Sequence, residues 1–146
     1  MNERVLRKET WLPHAPEKVW VALTDRHALA EWLMPNDFAP QVGHKFRFQV
    51  DPMPGLGAGI QECVVLEVDP LRKLVYSWVV VPRKPTRARP KPMVLTWTLV
   101  PEQEGTYLIL EQTGIEHVGA WVRFSMNMGW GRMLKTLLPR VMPNVT

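Results

Sequence analysis

The sequence contains a single cysteine, Cys63, so no disulfide can form within the chain. Its purely aliphatic runs are short, as at Val79–Val81, far below the roughly 20 apolar residues that a membrane-spanning helix requires. The start, MNERVLRKE, lacks the apolar centre of a signal peptide. A cytoplasmic protein without a membrane association is expected. The four histidines, His14, His27, His44 and His117, show no HxH or HExxH spacing, and there is no CxxC. No metal or other cofactor is therefore expected. GxSxG, P-loop and GxGxxG patterns are missing too, which removes the commonest nucleophile and nucleotide sites.

Charge is modest at 22% of residues and is unevenly placed. Arg83, Lys84, Arg87, Arg89 and Lys91 fall in one proline-rich segment, Pro82 to Pro92; without them the excess of 18 basic over 14 acidic residues turns slightly acidic. No aromatic residue interleaves these charges, so base stacking is unsupported and no nucleic-acid partner is expected. Such a segment reads first as a solvated hairpin loop.

The chain is rich in tryptophan, with seven among 146 residues. It ends in an amphipathic stripe: Trp130, Met133, Leu134, Leu137, Leu138 and Val141 repeat at helical spacing. The helix is expected to begin between Gly119 and Met126, and Pro139 to kink or end it. Gly129 and Gly131 flank Trp130 at a cost of about 0.5–1 kcal/mol each relative to alanine. A close backbone approach or a space left open would account for them.

Upstream, Arg4 to Leu12 reads as a strand of mixed polarity. Pro16 opens a short helix carrying Val19, Trp20 and Leu23 inward. Thr24 or Asp25 caps a second, with Leu29, Trp32 and Leu33, that stops at Pro35. Phe46, Phe48 and Val50 alternate with polar neighbours after Gly43, a half-buried strand. Turn residues 51–59 lead to a strand from Ile60 to Val68, then come strands around Leu74–Trp78, Leu95–Leu99 and Tyr107–Gln112. Consecutive strands with short turns pair antiparallel, and the terminal helix is the one long cover available. The expected architecture is α+β: a curved antiparallel sheet of about six to seven strands wrapped around the C-terminal helix, with two short helices after the first strand. The whole of residues 1–146 is expected to form one domain.

The segments APEKVWVALTDRHALAEWL (Ala15–Leu33), PQVGHKFRF (Pro40–Phe48), LEVDP (Leu66–Pro70), LVYSW (Leu74–Trp78) and GWGRMLKTL (Gly129–Leu137) resemble the family of activator-of-heat-shock-protein-90-ATPase homologues. That family belongs to the START-related helix-grip superfamily, SRPBCC. The resemblance spans nearly the whole chain. It implies the helix-grip fold and an apolar cavity between sheet and helix that binds a small hydrophobic molecule. It departs at His44, where relatives often carry a second glycine, and it does not include the asparagine- and tryptophan-rich module of the eukaryotic co-chaperones.

Candidate lining residues follow from the inward positions. Trp32, Trp78, Trp97, Trp121 and Trp130, with Phe38, Phe46 and Leu110, would form aromatic and apolar walls. Met126 and Met133 would add a pliable one, although core filling is the commoner use of such residues. Two polar groups share parity with apolar strand neighbours: Gln112 with Leu108 and Leu110, and Glu62 with Ile60, Val64 and Leu66. Either would orient a ligand if buried. The expected function is non-enzymatic binding of a small hydrophobic molecule. The alternatives are an enzyme of the cyclase or aromatase type, with Glu62 as acid or base, and a co-chaperone-like or regulatory module whose protein partner is a chaperone or a second copy of itself. No catalytic residue is assigned.

Overall fold

The computed structural model describes residues 5–51, 58–84 and 91–145. Most of the turn at 51–59 and of the basic loop at 82–92 thus lies outside the described residues. Six antiparallel strands form a single sheet in the order β1-β6-β5-β4-β3-β2. They are β1 (Val5–Leu12), β2 (Lys45–Gln49), β3 (Ile60–Asp69), β4 (Lys73–Val80), β5 (Met93–Glu102) and β6 (Gly105–Thr113). Two short helices, α1 (Pro16–Thr24) and α2 (Arg26–Trp32), follow β1. The last helix starts as α3 (Ala120–Arg132), passes through a π-helical turn at Met133–Leu137, and continues as α4 (Leu138–Val141). This is the helix-grip arrangement: a curved sheet closed on one face by the C-terminal helix.

Period-two patterning sets the sheet. Phe46 and Phe48, Leu74, Tyr76 and Trp78, Leu95, Trp97 and Leu99, and Leu108, Leu110 and Gln112 are all buried on the inner face. Asp25 rather than Thr24 caps α2, its carboxylate accepting from the His27 amide at 3.1 Å. The Trp32 indole N–H donates to the Ala22 carbonyl at 2.9 Å and ties α2 to α1. His44 lies parallel over Phe46, and its Nε2 is 2.9 Å from the Asp37 carbonyl.

β3 faces the opposite way from the expectation. Gln61, Cys63 and Val65 are buried, and a bulge between Val65 and Glu67 shifts the register beyond them. Glu62 is therefore on the outer face, 51% exposed, 3.2 Å from Arg47 of β2. The misreading has a physical cause. The inward residues of this strand are a glutamine and a cysteine, while isoleucine, valine and leucine occupy the half-exposed outer positions. Gln61 is kept inside by a bond from the Trp78 indole N–H, 3.0 Å long.

The helix continues through Pro139 instead of ending there. Proline supplies no N–H to the preceding turn, and the π-helical turn just before it changes the ladder: the Leu138 amide reaches back to the Met133 carbonyl. Trp130, Leu134, Leu138 and Met142 are buried at a spacing of four, with Met133, Leu137 and Val141 packed alongside.

Two inner-face groups resist ionisation. Burial first, then the nearby charges of Glu62 and Asp37, push the Cys63 thiol well above its ordinary range. Burial likewise pushes the Tyr76 phenol up, against a bond from the Trp97 indole N–H at 2.9 Å. In the unfolded chain these groups lose protons near about pH 8.5 and 10, whereas in the folded chain they hold them. The unfolded state alone therefore gains from rising pH, and stability falls progressively above about pH 8.5. Urea midpoints measured from neutral to alkaline pH should decline over that window. A flat profile would contradict the burial of both groups.

Candidate functional site

The β2–β3 and β4–β5 connections and the passage from β6 into α3 all leave the same end of the sheet. The inner face at that end carries Gln61, near the start of β3; Trp78, near the end of β4; Met93, which opens β5; and Gln112, near the end of β6. Trp78 pairs with Met93 in register and Leu95 with Gln112. This end of the sheet is therefore lined by two amides, an indole and a thioether.

Gln112 is completely buried. The Trp130 indole N–H donates to its side-chain oxygen at 2.9 Å. Since an indole nitrogen can only donate, that contact fixes the amide's orientation. Its NH2 then faces two sulfurs, Met93 Sδ at 3.3 Å and Met126 Sδ at 3.5 Å. Thioethers are weak acceptors. A strong donor pair thus lies in an apolar setting with soft partners that a better acceptor would displace.

Above this point the helix changes character. No residue from Ala120 to Gly129 is buried, whereas Trp130 is. Met126 is the one hydrophobic side chain of this front half packed on the core. A side chain added at Gly129 would meet nothing within 4 Å, and one at Gly131 would meet only the Lys8 amine at 4.0 Å. Of the two explanations for these glycines, open space is the one found. Lys8 itself lies in the inward register of β1, between Leu6 and Thr10.

The expected lining residues divide into groups. Trp78, Gln112, Met126 and Trp130 come together at the open end of the sheet. Trp32, Trp97, Phe38, Phe46 and Leu110 are buried deeper in the core. There Trp32 meets Trp97 edge-on at 5.9 Å, Trp97 meets Trp130 at 5.6 Å, and Phe38 meets Phe46 at 4.9 Å. Each such pair contributes about 0.5–1.5 kcal/mol beyond area burial; they form the packed core beneath this end of the sheet. Met133 is half-buried on the π-helical turn. Trp121 is a correction: it points to solvent, 62% exposed, because nine residues before Trp130 it lies about half a turn round the helix from the buried stripe. Glu62, on the outer face, is not available to the interior as acid or base. Gln61 and Met93 were missed. Gln61 was hidden by the misread parity of β3; Met93, just after the proline-rich loop, has the parity of Leu95 and Trp97, a usable signal. Among the described residues no three His, Cys, Asp or Glu side chains gather as a metal site, and no helix is long and apolar enough to cross a membrane.

A family model described as activator of Hsp90 ATPase homolog 1-like protein matches residues 13–141. Protein MLL2253 from Mesorhizobium loti is 35% identical, with 98% of this chain and 99% of that one aligned at a TM-score of 0.79. Protein BH1534 from Bacillus halodurans is 27% identical over 97% and 99% of the two chains, with a TM-score of 0.73. DynU16, a putative protein in the dynemicin biosynthetic locus, has the same fold at 22% identity and a TM-score of 0.74 over 95% of this chain and 47% of that one. No curated protein matches.

The space beside Gly129 generates a test. Gly129→Ala should raise stability by about 0.5–1 kcal/mol in urea titration, since it removes backbone freedom without a clash. A loss of stability would mean that the space is occupied in the folded protein.

Proposed function

We propose, from the premise that this chain belongs to the activator of Hsp90 ATPase homolog 1-like family, that it binds a small hydrophobic molecule between the front half of α3 and the sheet. The observation that carries this reading is the buried amide of Gln112, whose donors face the sulfurs of Met93 and Met126 among the described residues. A ligand carbonyl or ether oxygen is a stronger acceptor than either sulfur. The ligand body would lie against Trp78 and Trp130, with Met93 and Met126 yielding around it. Gln61 would contribute at the same end of the sheet. The open side of Gly129 gives the ligand room, and the front of α3, where Met126 is the hydrophobic side chain packed on the core among the described residues, gives it a way in.

The indoles supply flat apolar area at little conformational cost, while one amide supplies orientation. That combination favours planar, weakly polar molecules over flexible lipids. The neighbouring fold in a biosynthetic locus is in keeping with a role around such molecules. Binding without turnover is favoured because, among the described residues, the inner face at this end carries no carboxylate or imidazole; Lys8, whose amine lies near Gly131, is an ionisable group on that face.

Nile red, apolar and carrying a carbonyl, is a suitable probe. The wild-type protein should enhance its emission in a saturable titration. Gln112→Leu should weaken binding about tenfold, the value of one buried hydrogen bond near 1.4 kcal/mol. Gly129→Leu, a good helix former on the open side, should abolish binding while the protein stays folded. Undiminished binding by Gly129→Leu, or no saturable binding by the wild type, would overturn the reading.

A further inference from the structure

The side of α3 turned away from the core is apolar. Trp121, Phe124 and Met128 are 62%, 56% and 61% exposed, and they follow one another three and four residues apart along one helix face. Trp121 and Phe124 stack on each other at 5.9 Å, so their rings form one surface. From Ala120 to Met128 there is no acidic residue.

Positive charge lies at the same end of the molecule. The β4–β5 connection carries Arg83, Lys84 and Lys91, all exposed. Its last residue abuts the turn into α3: a side chain on Gly114 would stand 3.1 Å from the Pro92 carbonyl and 3.2 Å from the Met93 Cα. Gly114 itself has φ +80°, which favours glycine there in any case. Arg123 adds a cation, its guanidinium donating to the Val118 carbonyl at 2.7 Å. Against these stand Asp51, and Glu116 beside His117, while Glu62 and Glu111 on the outer face are each matched by an arginine, Arg47 and Arg7. The balance at this end is basic.

We propose that this end of the protein docks on the surface of an anionic lipid bilayer. Trp121 and Phe124 enter the headgroup layer, where the indole keeps an apolar body and a polar N–H both satisfied and the phenyl ring adds apolar area. Lys84 and Lys91 sit over the anionic headgroups. The charge argues against a second copy of the chain as occupant, because that copy would bring the same basic residues to the contact. The surface lies beside the cleft proposed above but does not depend on it, and its test uses no dye.

The test is co-sedimentation with vesicles of phosphatidylcholine alone and of phosphatidylcholine and phosphatidylglycerol in equal parts. The wild-type chain should bind the anionic vesicles and leave the neutral ones in solution, and added salt should release it. Lys84→Gln with Lys91→Gln should weaken binding about 25-fold, from roughly fivefold per lysine. Trp121→Ala with Phe124→Ala should weaken it at least about tenfold, the loss of two inserted rings. All four positions are exposed, so unchanged circular dichroism is expected for both variants. Equal sedimentation with both vesicle types, no sedimentation at all, or full binding by the aromatic variant would overturn the proposal. So would a wild-type dimer that the aromatic variant splits into monomers, which would give the face to a second copy.

Discussion

The hydrogen bond from the Trp130 indole to the Gln112 carbonyl is the contact on which the upper half of this fold depends. It joins the terminal helix to the sheet inside the core, where a lost partner costs about 1–3 kcal/mol. It also sets the direction of the Gln112 amide, and so decides that the amine end faces Met93 and Met126 and not solvent. Around it the rings interlock: Trp130 meets Trp97 on one side and Trp78 on the other, and Trp78 stacks on Phe48 at 5.0 Å. Each buried indole N–H has its own acceptor, an amide, a phenol or a backbone carbonyl. Tryptophans packed this densely are tolerated only when their polar atoms are satisfied.

The contact also divides the helix into two regimes. Behind Trp130, a buried residue every fourth position and a π-helical turn that accommodates Pro139 hold the helix on the core. Ahead of it, the backbone passes through Gly129 into a segment with no buried residue. Local stability follows buried contact density, so one helix carries both the firm closure of the core and a loosely held flap. Gly129 and Gly131 fall at this boundary: neither is required by crowding, and each leaves space open beside the helix.

Most of the architecture was legible because the core strands obey a strict period of two. Phe46 and Phe48, or Leu95, Trp97 and Leu99, announce their face without help from context. The terminal stripe from Trp130 was equally plain. β3 was not, because its inward positions are filled by Gln61 and Cys63 and its outward ones by aliphatics; the indole of Trp78, which donates to Gln61, helps to hold a glutamine inside. Trp121 failed for a different reason. Its hydrophobicity reads as burial, yet nine residues before Trp130 it falls about half a turn from the buried stripe, which Met126 continues. Of the site, Gln112 was visible from parity alone, whereas its neighbours Gln61 and Met93 depend on strand register across the sheet.

If Trp130 is the point at which the helix becomes fixed, amide hydrogen exchange should change there. Exchange should be rapid through residues 122–128 and strongly slowed from residue 133 to 142, with Nile red slowing the front segment selectively. Uniform protection along the whole helix, unaltered by the dye, would contradict fixation at Trp130.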